Sequence, residues 1–323
     1  MSNAVIYRLD DNPRTYTDSK GAVINDASIL DYIKKLTIPP NYHNVQIFYN
    51  PQNTPKISYQ GYDSKERLQR IYSEKWSSSR KKQKFCELLH FCDQFEKMIK
   101  TIDALLVAPL SKEKCIAMIL KLIMICYFRI GNRKYKELYG SFGAMTVLKD
   151  HVQYKDGGVF ISFPGKKGVI NTCTIHDKVM ISEIKMFMSN GSGRELFTYP
   201  KEGNLVPLKA IDINKWLAKF DSLITSKDFR TYNANILLLE ELKKYDPSGK
   251  VGRKKHLLLA LEYAANMLHN TPNILKKEYA ELNIIEEFLL RPSSFEEKFP
   301  KGEDTRLSFA RLLRTICAPD GTQ

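Results

Sequence analysis

The sequence predicts an α+β protein with two domains: a small, β-rich N-terminal domain over residues 1–77 and a larger, mainly helical domain with a three-stranded sheet over residues 78–323. Short alternating or aromatic-rich runs, separated by turn clusters, fill the chain up to about residue 76, and this pattern is typical of strands. From Ser77 onwards the apolar residues recur with helical spacing, except for strand-like runs between residues 144 and 176.

The elements follow from these patterns in chain order. The N-terminal strands are predicted at VIYRLD, NVQIFYN, KISYQGYD and LQRIYSEKW, with turns at DDNP, IPPNYHN and NPQNTP. Two long helices, KFCELLHFCDQFEKMIKTIDALL and KEKCIAMILKLIMICYFRIG, are joined across APLS. The three strands of the second domain are AMTVLKDHVQY, VFISFP and VINTCTI, with turns at residues 155–158 and 165–168. The remainder is predicted to be helical, with loops at NGSGRE, YDPSGKVG and NTPN.

The amino-acid composition indicates which classes of partner the protein could bind. Fifty Lys plus Arg against 36 Asp plus Glu give a net charge of +14, which suits nucleic acid or an anionic membrane surface, although solubilising charge alone would also account for it. The apolar stretch over residues 115–130 contains Lys121 and Arg129 and is too short to cross a bilayer, so it predicts a buried helix. The N-terminus has no apolar run of the kind found in secretory signals.

The six cysteines form no CxxC pair and have no histidines at zinc spacings. Three of them fall in apolar helical runs, where a free thiol behaves as a small buried hydrophobe. The sequence therefore predicts a reducing compartment, no disulfide framework and no structural metal.

A basic stretch over residues 65–84 carries eight Lys or Arg against two acids. Tyr72, Trp76 and Ser77 to Ser79 are interleaved with the cations, a mixture that suits a surface following a phosphate backbone. A solvated linker between the domains is the alternative interpretation of the same charge run.

Five side chains in the second domain indicate chemistry, in the order Arg129, Lys166, Arg230, His269 and Tyr279. A tyrosine that attacks a phosphodiester needs cations to hold the non-bridging oxygens of the phosphorane, and an acid to protonate the departing sugar oxygen. Two arginines and a histidine suit the first task, and a lysine in a turn suits the second. The order and local contexts predict a phosphodiester-cutting site with a tyrosine nucleophile and no metal.

Each residue alone also has a plain structural interpretation. Tyr279 is one of 17 tyrosines, and a free phenol is about 4 kcal/mol away from ionisation at neutral pH. His269 could simply cap a helix, whose dipole would favour its charged form. Arg129 and Arg230 could form structural ion pairs, and Lys166 could be an ordinary exposed turn residue.

Several motifs together resemble the poxvirus-type type IB DNA topoisomerases, and the similarity runs nearly end to end. GYDSKERLQRIY resembles the family's strand motif GxDxKGRxQYxY, with Glu66 in place of glycine and Arg70 in place of tyrosine. FRIGNRKY, FPGKKG and KDFRTY resemble its arginine box, lysine hairpin and Lys-x-x-Arg box. HNTPNILKKEY resembles its His-Thr-Pro…Tyr block, with Asn270 as one extra residue between His269 and Tyr279.

The resemblance implies that Tyr279 attacks the scissile phosphate to form a 3′-phosphotyrosyl bond, which reversal reseals without ATP, metal or other cofactor. Arg129, Arg230 and His269 would brace the phosphorane, and Lys166 would protonate the 5′ oxygen. It implies a monomer that closes around supercoiled duplex DNA, with no membrane partner. The DNA-binding candidates are Lys65, Arg67, Gln69, Arg70, Tyr72, Arg80, Lys81, Tyr135 and Lys227.

Three alternatives stay open at this point. A tyrosine recombinase or integrase shares the catalytic set, but typically has His-x-x-Arg where this chain has Lys227 to Arg230, and a helical N-terminal domain. A catalytically inactive DNA-binding protein of the same fold is a second alternative. A metal-dependent nuclease is a third, without a ligand cluster to support it. Heavy use of Lys, Asn, Ile and Tyr fits an AT-rich genome, so we expect an intracellular protein of a virion, a host cytoplasm or a bacterial nucleoid.

Overall fold

The computed structural model of the chain describes residues 4–9, 14–246 and 250–318. It divides into two compact units, residues 1–84 and 85–323. The division falls inside the helix Glu74–Leu106, and the domain boundary predicted at residues 77 and 78 lies within the same helix. The predicted turn DDNP and part of the predicted loop YDPSGKVG lie outside the described residues.

The first unit is built on a five-stranded antiparallel sheet with the strand order β2-β1-β3-β4-β5. Its elements are β1 (Ala4–Arg8), β2 (Tyr16–Thr17), α1 (Ala27–Lys35), β3 (His43–Tyr49), β4 (Ile57–Tyr62) and β5 (Leu68–Tyr72). The helix α1 was not predicted from the sequence. It follows the N-cap residue Asp26, whose side chain accepts hydrogen bonds from the backbone of Ser28 and Ile29. A small core forms from Ile6, Ile33, Val45, Ile47 and Tyr59.

The second unit is mainly helical, as predicted. Its helices are α2 (Glu74–Leu106), α3 (Lys112–Cys126), α4 (Arg133–Tyr139), α5 (Lys178–Ser189), α6 (Ala210–Leu217), α7 (Ser226–Leu242), α8 (Lys250–Met267), α9 (Pro272–Ile274), α10 (Leu282–Leu290), α11 (Pro292–Lys298) and α12 (Thr305–Cys317). Helix α3 lies in the centre of the core and packs against α7. Among the described residues, no helix combines the length and the apolar character that crossing a bilayer requires.

The predicted three-stranded sheet is present, in the order β6-β7-β8, with β6 at Val152–Lys155, β7 at Gly158–Pro164 and β8 at Ile170–Ile175. Two details of the prediction were wrong. Residues 144–151, predicted as strand, form two short 3-10 helices at Ala144–Thr146 and Lys149–His151. A hairpin of β9 (Thr198–Lys201) and β10 (Asn204–Pro207) occupies a stretch predicted to be helical, where the Lys201-Glu202-Gly203 turn brings the strands together.

The prediction that the chain has no disulfide bonds was also wrong. Cys86 is bonded to Cys317, and Cys126 to Cys173, while Cys92 and Cys115 are free thiols. Sequence spacing gave no signal because the partners are 231 and 47 residues apart, so only the packing of distant elements brings them together. Burial raises the pKa of both free thiols to about 12, which keeps them protonated and unreactive at neutral pH.

Candidate active site

Arg129 lies in an irregular segment that follows the central helix. The sequence predicted helix through CYFRIG, but α3 ends at Cys126 because Tyr127 adopts the left-handed conformation (φ 54°). The backbone of Arg129 is then held by Ala144, whose N–H donates to the Arg129 carbonyl at 2.8 Å. Gly143 passes so close that a Cβ there would lie 2.5 Å from the Arg129 carbonyl oxygen. A residue with a Cβ at position 143 would collide with the Arg129 backbone, so a glycine is required there.

Arg230 projects from α7 into the core and is only 4% exposed. Its guanidinium donates to two backbone carbonyls, that of Tyr127 and, at 2.8 Å, that of Leu268. Burial lowers its pKa to about 10, the nearby Tyr279 raises it and Arg129 lowers it further. In the described part of the chain neither Arg129 nor Arg230 forms an ion pair with a carboxylate. The structural ion pair considered for both arginines is thus not what holds them.

His269 occupies the position just beyond the end of α8, where helices commonly end in a left-handed residue. Its φ is +50°. Its N–H donates to the Asn266 carbonyl at 3.0 Å, and that of Asn270 donates to the Ala265 carbonyl at 2.8 Å. This pair of bonds is the Schellman motif, which usually has glycine at the left-handed position. The backbone geometry thereby fixes where the imidazole points.

The surroundings of His269 oppose the charged form that a helix dipole would favour. Burial lowers its pKa, and Arg230 and Arg129 lower it further, while a hydrogen bond to the backbone of Cys126 raises it. Desolvation and two neighbouring cations therefore outweigh the dipole of one helix end. Its Nε2 is buried without a hydrogen-bond partner among the described residues, so Nδ1 is the nitrogen that bonds to Cys126.

Tyr279 ends a π-helical turn, Leu275–Tyr279, in which the N–H of Ala280 donates to the carbonyl of Leu275 at 2.9 Å. The guanidinium carbon of Arg230 lies 5.6 Å from the centre of the Tyr279 ring. The nucleophile predicted from the sequence is therefore adjacent to a predicted phosphate ligand. Single π turns recur at functional sites.

Asn235 is a residue of this site that the sequence analysis missed. It is fully buried on α7, one turn and a half beyond Arg230. Its Nδ2 donates to the carbonyl of Tyr279 at 2.9 Å, and its Oδ1 accepts from the N–H of Glu281 at 2.8 Å. One side chain thus satisfies two backbone groups at the C-terminal side of the predicted nucleophile, its own carbonyl and the N–H of Glu281. The only signal in the sequence was a polar residue within an otherwise apolar stretch of helix.

Asn270 also belongs to the site. The Nη2 of Arg129 donates to its Oδ1 at 2.6 Å. Buried side-chain nitrogens without a hydrogen-bond partner in the described residues include Arg230 Nε, His269 Nε2 and Asn270 Nδ2. Buried polar atoms are nearly always paired. Arg230 Nε and Asn270 Nδ2 can only donate, so these two unpaired donors indicate a site built for an anion.

Lys166 stands apart from the other four predicted catalytic residues. It is exposed in the 3-10 turn Lys166–Gly168 between β7 and β8, and no contact with Arg129, Arg230, His269 or Tyr279 is described. The base of the same hairpin does reach the site. Phe163 on β7 packs edge-on against Phe128 at 4.7 Å between ring centres, and Phe128 lies 5.7 Å from the His269 ring.

The DNA-binding candidates of the first unit lie just before, on and after β5, an edge strand whose side chains are mostly exposed. Arg67 and Gln69 are held by Asp63: Arg67 Nη2 donates to Asp63 Oδ2 at 2.7 Å and Gln69 Nε2 at 2.9 Å. These bonds lower the pKa of Asp63. Arg70 Nε donates to Gln60 Oε1 at 3.1 Å. Three of the candidates are therefore already engaged within their own unit.

Of the four further candidates, Lys65 is exposed in the turn between β4 and β5. Tyr72, Arg80 and Lys81 lie beside or within the start of α2, where Lys81 is exposed. Tyr72 packs edge-on against Trp76, and the cationic groups of Lys56 and Arg80 lie 4.8 and 5.3 Å from the Trp76 ring centre. The segment that could have been a solvated linker is thus an ordered strand and helix with a fixed cluster of cations.

Two candidates lie in the second unit. Tyr135 is 57% exposed on α4, where its ring stacks on that of Tyr139 at 5.9 Å. Lys227 is exposed in the first turn of α7, three residues before the buried Arg230. Both side chains are accessible to a ligand, and no described contact links either of them to Tyr279.

Comparison with known proteins defines the class. The family model of the eukaryotic DNA topoisomerase I catalytic core matches residues 73–294. DNA topoisomerase 1B of Acanthamoeba polyphaga mimivirus is 31% identical over 297 residues, which cover 88% of this chain and 87% of that protein. DNA topoisomerase 1B of vaccinia virus (strain Copenhagen) is 21% identical over 286 residues, covering 84% of this chain and 87% of the relative.

The site and these relatives define an isomerase that acts on DNA. The chain belongs to the type IB DNA topoisomerases, and specifically to their poxvirus-type viral group. The predicted fold class and enzyme class are thereby confirmed, and the recombinase and nuclease alternatives are not retained.

Proposed function

We propose that Tyr279 is the nucleophile of this topoisomerase, with Arg129, Arg230 and His269 as ligands of the scissile phosphate. The observation that carries the proposal is the group of buried nitrogen atoms that have no hydrogen-bond partner among the described residues, together with Tyr279, which lies against Arg230 and whose carbonyl is held by Asn235. Charge that develops on the phosphorane is best stabilised by donors already held in place in a site without water.

The chemistry follows from these groups. The Tyr279 oxygen forms a bond to phosphorus as the bond to the 5′ oxygen breaks, so one phosphodiester replaces another and no nucleotide has to supply free energy. The phenolic proton is lost, and the leaving 5′ oxygen gains a proton. Lys166 is the proposed acid, because its hairpin has its base against the site and its tip in solvent. Reversal of the same steps reseals the strand.

We also propose that a monomer binds supercoiled duplex DNA and that the cut strand swivels between cleavage and religation. The exposed cations and aromatic rings of β5 and the start of α2 support contact with the phosphate backbone. The relatives are viral proteins, which supports a place of action in an infected cell or a virion.

Relaxation of supercoiled plasmid in EDTA without ATP tests the proposal. We expect the unmodified protein to relax the plasmid and Tyr279→Phe to bind DNA without relaxing it. Tyr154→Phe, at a half-exposed tyrosine of β6, is the matched control and should relax the plasmid normally. Relaxation by Tyr279→Phe would mean that another residue is the nucleophile.

A further inference from the structure

The hairpin of β7 and β8, which carries Lys166 at its turn, is held together by contacts of its own. Its two strands pair along their whole length. In the turn, the N–H of Gly165 donates to the Val169 carbonyl at 2.7 Å, and Nδ2 of the buried Asn171 donates to the same carbonyl at 2.9 Å. The turn is therefore fixed to the strands, so the backbone of Lys166 follows any movement of the hairpin as a whole.

Two contacts join this hairpin to the residues at the end of α3. Cys173 on β8 is disulfide-bonded to Cys126, the last residue of α3. Phe163 on β7 packs edge-on against Phe128, with 4.7 Å between the ring centres. Cys126 is buried and Cys173 is half-buried. The ring contact resists separation only weakly, whereas the disulfide bond is covalent and limits how far the hairpin can move from α3.

The residues that the disulfide bond reaches also hold the proposed phosphate ligands. The backbone of Cys126 accepts a hydrogen bond from His269. The carbonyl of Tyr127 accepts one from Arg230, and Arg129 follows in the same segment. The bond between Cys126 and the hairpin therefore connects the backbone that positions the phosphate ligands with the element that carries the proposed acid.

We propose that the Cys126–Cys173 disulfide bond is a redox-sensitive link that positions Lys166 for proton transfer to the leaving 5′ oxygen. This inference rests on the proposed function, in which Lys166 is the acid. A dithiol opens the bond when one of its sulfurs attacks a cysteine sulfur and the other then displaces the mixed disulfide. Two electrons and two protons pass to Cys126 and Cys173, which become thiols, and the dithiol becomes a cyclic disulfide. The freed hairpin then holds Lys166 at the 5′ oxygen for less of the time, and cleavage slows.

The test measures single-turnover cleavage of a short duplex by Cys317→Ser, before and after reduction with dithiothreitol. This variant lacks the bond between Cys86 and Cys317, so the Cys126–Cys173 bond is the one that the dithiol can open within the described residues. We expect reduction to slow cleavage about tenfold or more, since a displacement of about 1 Å can cost on the order of 100-fold. Reoxidation should restore the rate.

Cys173→Ser removes the proposed link and leaves the other disulfide bond in place, so Cys317→Ser is its matched control. Cys173→Ser should cleave slowly both before and after reduction. Unreduced Cys317→Ser should cleave at the rate of the unmodified protein. If Cys173→Ser proves unstable in thermal unfolding, the redox comparison in Cys317→Ser still decides, because it needs no substitution near the site.

A change of substrate separates the positioning of an acid from support of the whole site. When sulfur replaces the bridging 5′ oxygen, the leaving group is a thiolate, which needs no acid because thiols have a pKa of about 8.5. We expect the losses caused by reduction and by Cys173→Ser to shrink to about threefold or less on this substrate. Equal losses on both substrates, or no loss on the ordinary duplex, would overturn the proposal.

Lys166→Ala and Tyr279→Phe distinguish failure of this inference from failure of the proposed function. Lys166→Ala should be slow on the ordinary duplex and close to normal on the sulfur substrate. Normal cleavage of the ordinary duplex by Lys166→Ala would mean that Lys166 is not the acid. If Lys166→Ala behaves as expected but reduction and Cys173→Ser have no effect, only the link is refuted. A covalent adduct formed by Tyr279→Phe would refute the proposed nucleophile, whatever the cysteine variants do.

Discussion

The guanidinium groups of Arg129 and Arg230 repel each other, and binding of an anion would reduce this repulsion. Arg230 is almost completely buried, and burial lowers its pKa to about 10, yet at neutral pH it stays charged. The backbone carbonyls of Tyr127 and Leu268 satisfy part of its guanidinium, but they carry no full charge. Arg129 repels Arg230 and lowers its pKa further. A bound phosphate would therefore be attracted strongly, since low dielectric strengthens every charge interaction.

His269 makes the protein sensitive to acid. Its pKa in the folded state lies below the ordinary value of 6.5 because of burial and the two arginines. Below about pH 6.5 the unfolded chain takes up a proton at this position that the folded chain resists, so stability is present above that pH and lost as the pH falls through it. We expect denaturant unfolding from pH 8 to pH 5 to show a larger loss of stability for the unmodified protein than for His269→Gln.

The comparison with His269→Gln isolates this residue, because His151, whose pKa is also lowered by burial, is present in both proteins. Parallel stability curves for the two proteins would contradict the assigned environment of His269.

At the scale of single residues, the sequence predicted the site best where a residue type has few alternative roles. The order of Arg129, Arg230, His269 and Tyr279 predicted residues that the fold does bring together. The left-handed backbone of His269 and the orientation of the Asn270 amide depend on hydrogen bonds to residues 265, 266 and 129. Such contacts leave no local sequence pattern.

The element that carries Tyr279 is a single π turn fastened to α7. Asn235 accepts from the Glu281 N–H and donates to the carbonyls of Tyr279 and Thr231. Since Arg230 projects from the same helix, α7 fixes both the proposed nucleophile and a proposed phosphate ligand. Small shifts of α7 would thus move the two groups together.

We expect Asn235→Ala to break the connection between α7 and the turn that carries Tyr279. Loss of the side chain leaves the Tyr279 carbonyl and the Glu281 N–H unsatisfied, so we expect a loss of roughly 2–4 kcal/mol in the free energy of unfolding and at least a tenfold slower single-turnover cleavage. Urea unfolding and cleavage of a short duplex measure the two effects. Asn233→Ala, a neighbour on α7 whose amide makes one weak bond at 3.5 Å, should change both far less. Unchanged cleavage by Asn235→Ala would show that the turn is positioned without it.

The disulfide bonds connect elements that are distant in sequence. Cys86 on α2 is bonded to Cys317 on α12, and Cys126 at the end of α3 to Cys173 on β8. Thiol titration of the denatured, unreduced protein should therefore detect two thiols, those of Cys92 and Cys115, and six after reduction. Detection of six thiols before reduction would contradict the pairing.

At the scale of elements, long periodic segments could be predicted and their ends could not. Helices α2, α3 and α7 have apolar patterns that specify them. The end of α3 depends on the left-handed Tyr127 and on the close approach of Gly143. The missed hairpin of β9 and β10 is stabilised by pairing between its strands, a non-local effect that overrides local propensity.

At the scale of the whole molecule, the net charge of +14 favours binding of a polyanion such as DNA. In the first unit, the cationic groups of Lys56 and Arg80 pack on the ring of Trp76 at the start of α2. The sequence could assign the chain to its class because the motifs span nearly its whole length. It could not say which of these cations are engaged within the protein: Arg67 and Arg70 are, through Asp63 and Gln60.

Binding to duplex DNA should fall steeply with salt, with a log–log slope of about −0.9 for each phosphate neutralised. Arg80→Ala and Lys81→Ala should each reduce the magnitude of this slope by about 0.9. Lys35→Ala, which removes a cation paired with Asp31 on α1, should leave it unchanged. Fluorescence anisotropy over a range of salt concentrations measures the slopes. Identical slopes for all four proteins would remove the first unit from the proposed DNA surface.

The most direct test of the central claim is to map the covalent adduct between protein and DNA. The protein is trapped on a duplex by denaturation and digested with trypsin, and the peptide attached to DNA is identified by mass spectrometry. We predict the peptide that begins at Glu278, in which Tyr279 is the only tyrosine, joined to the 3′ end of the cleaved strand. Attachment through any other peptide, or to the 5′ end, would contradict the account.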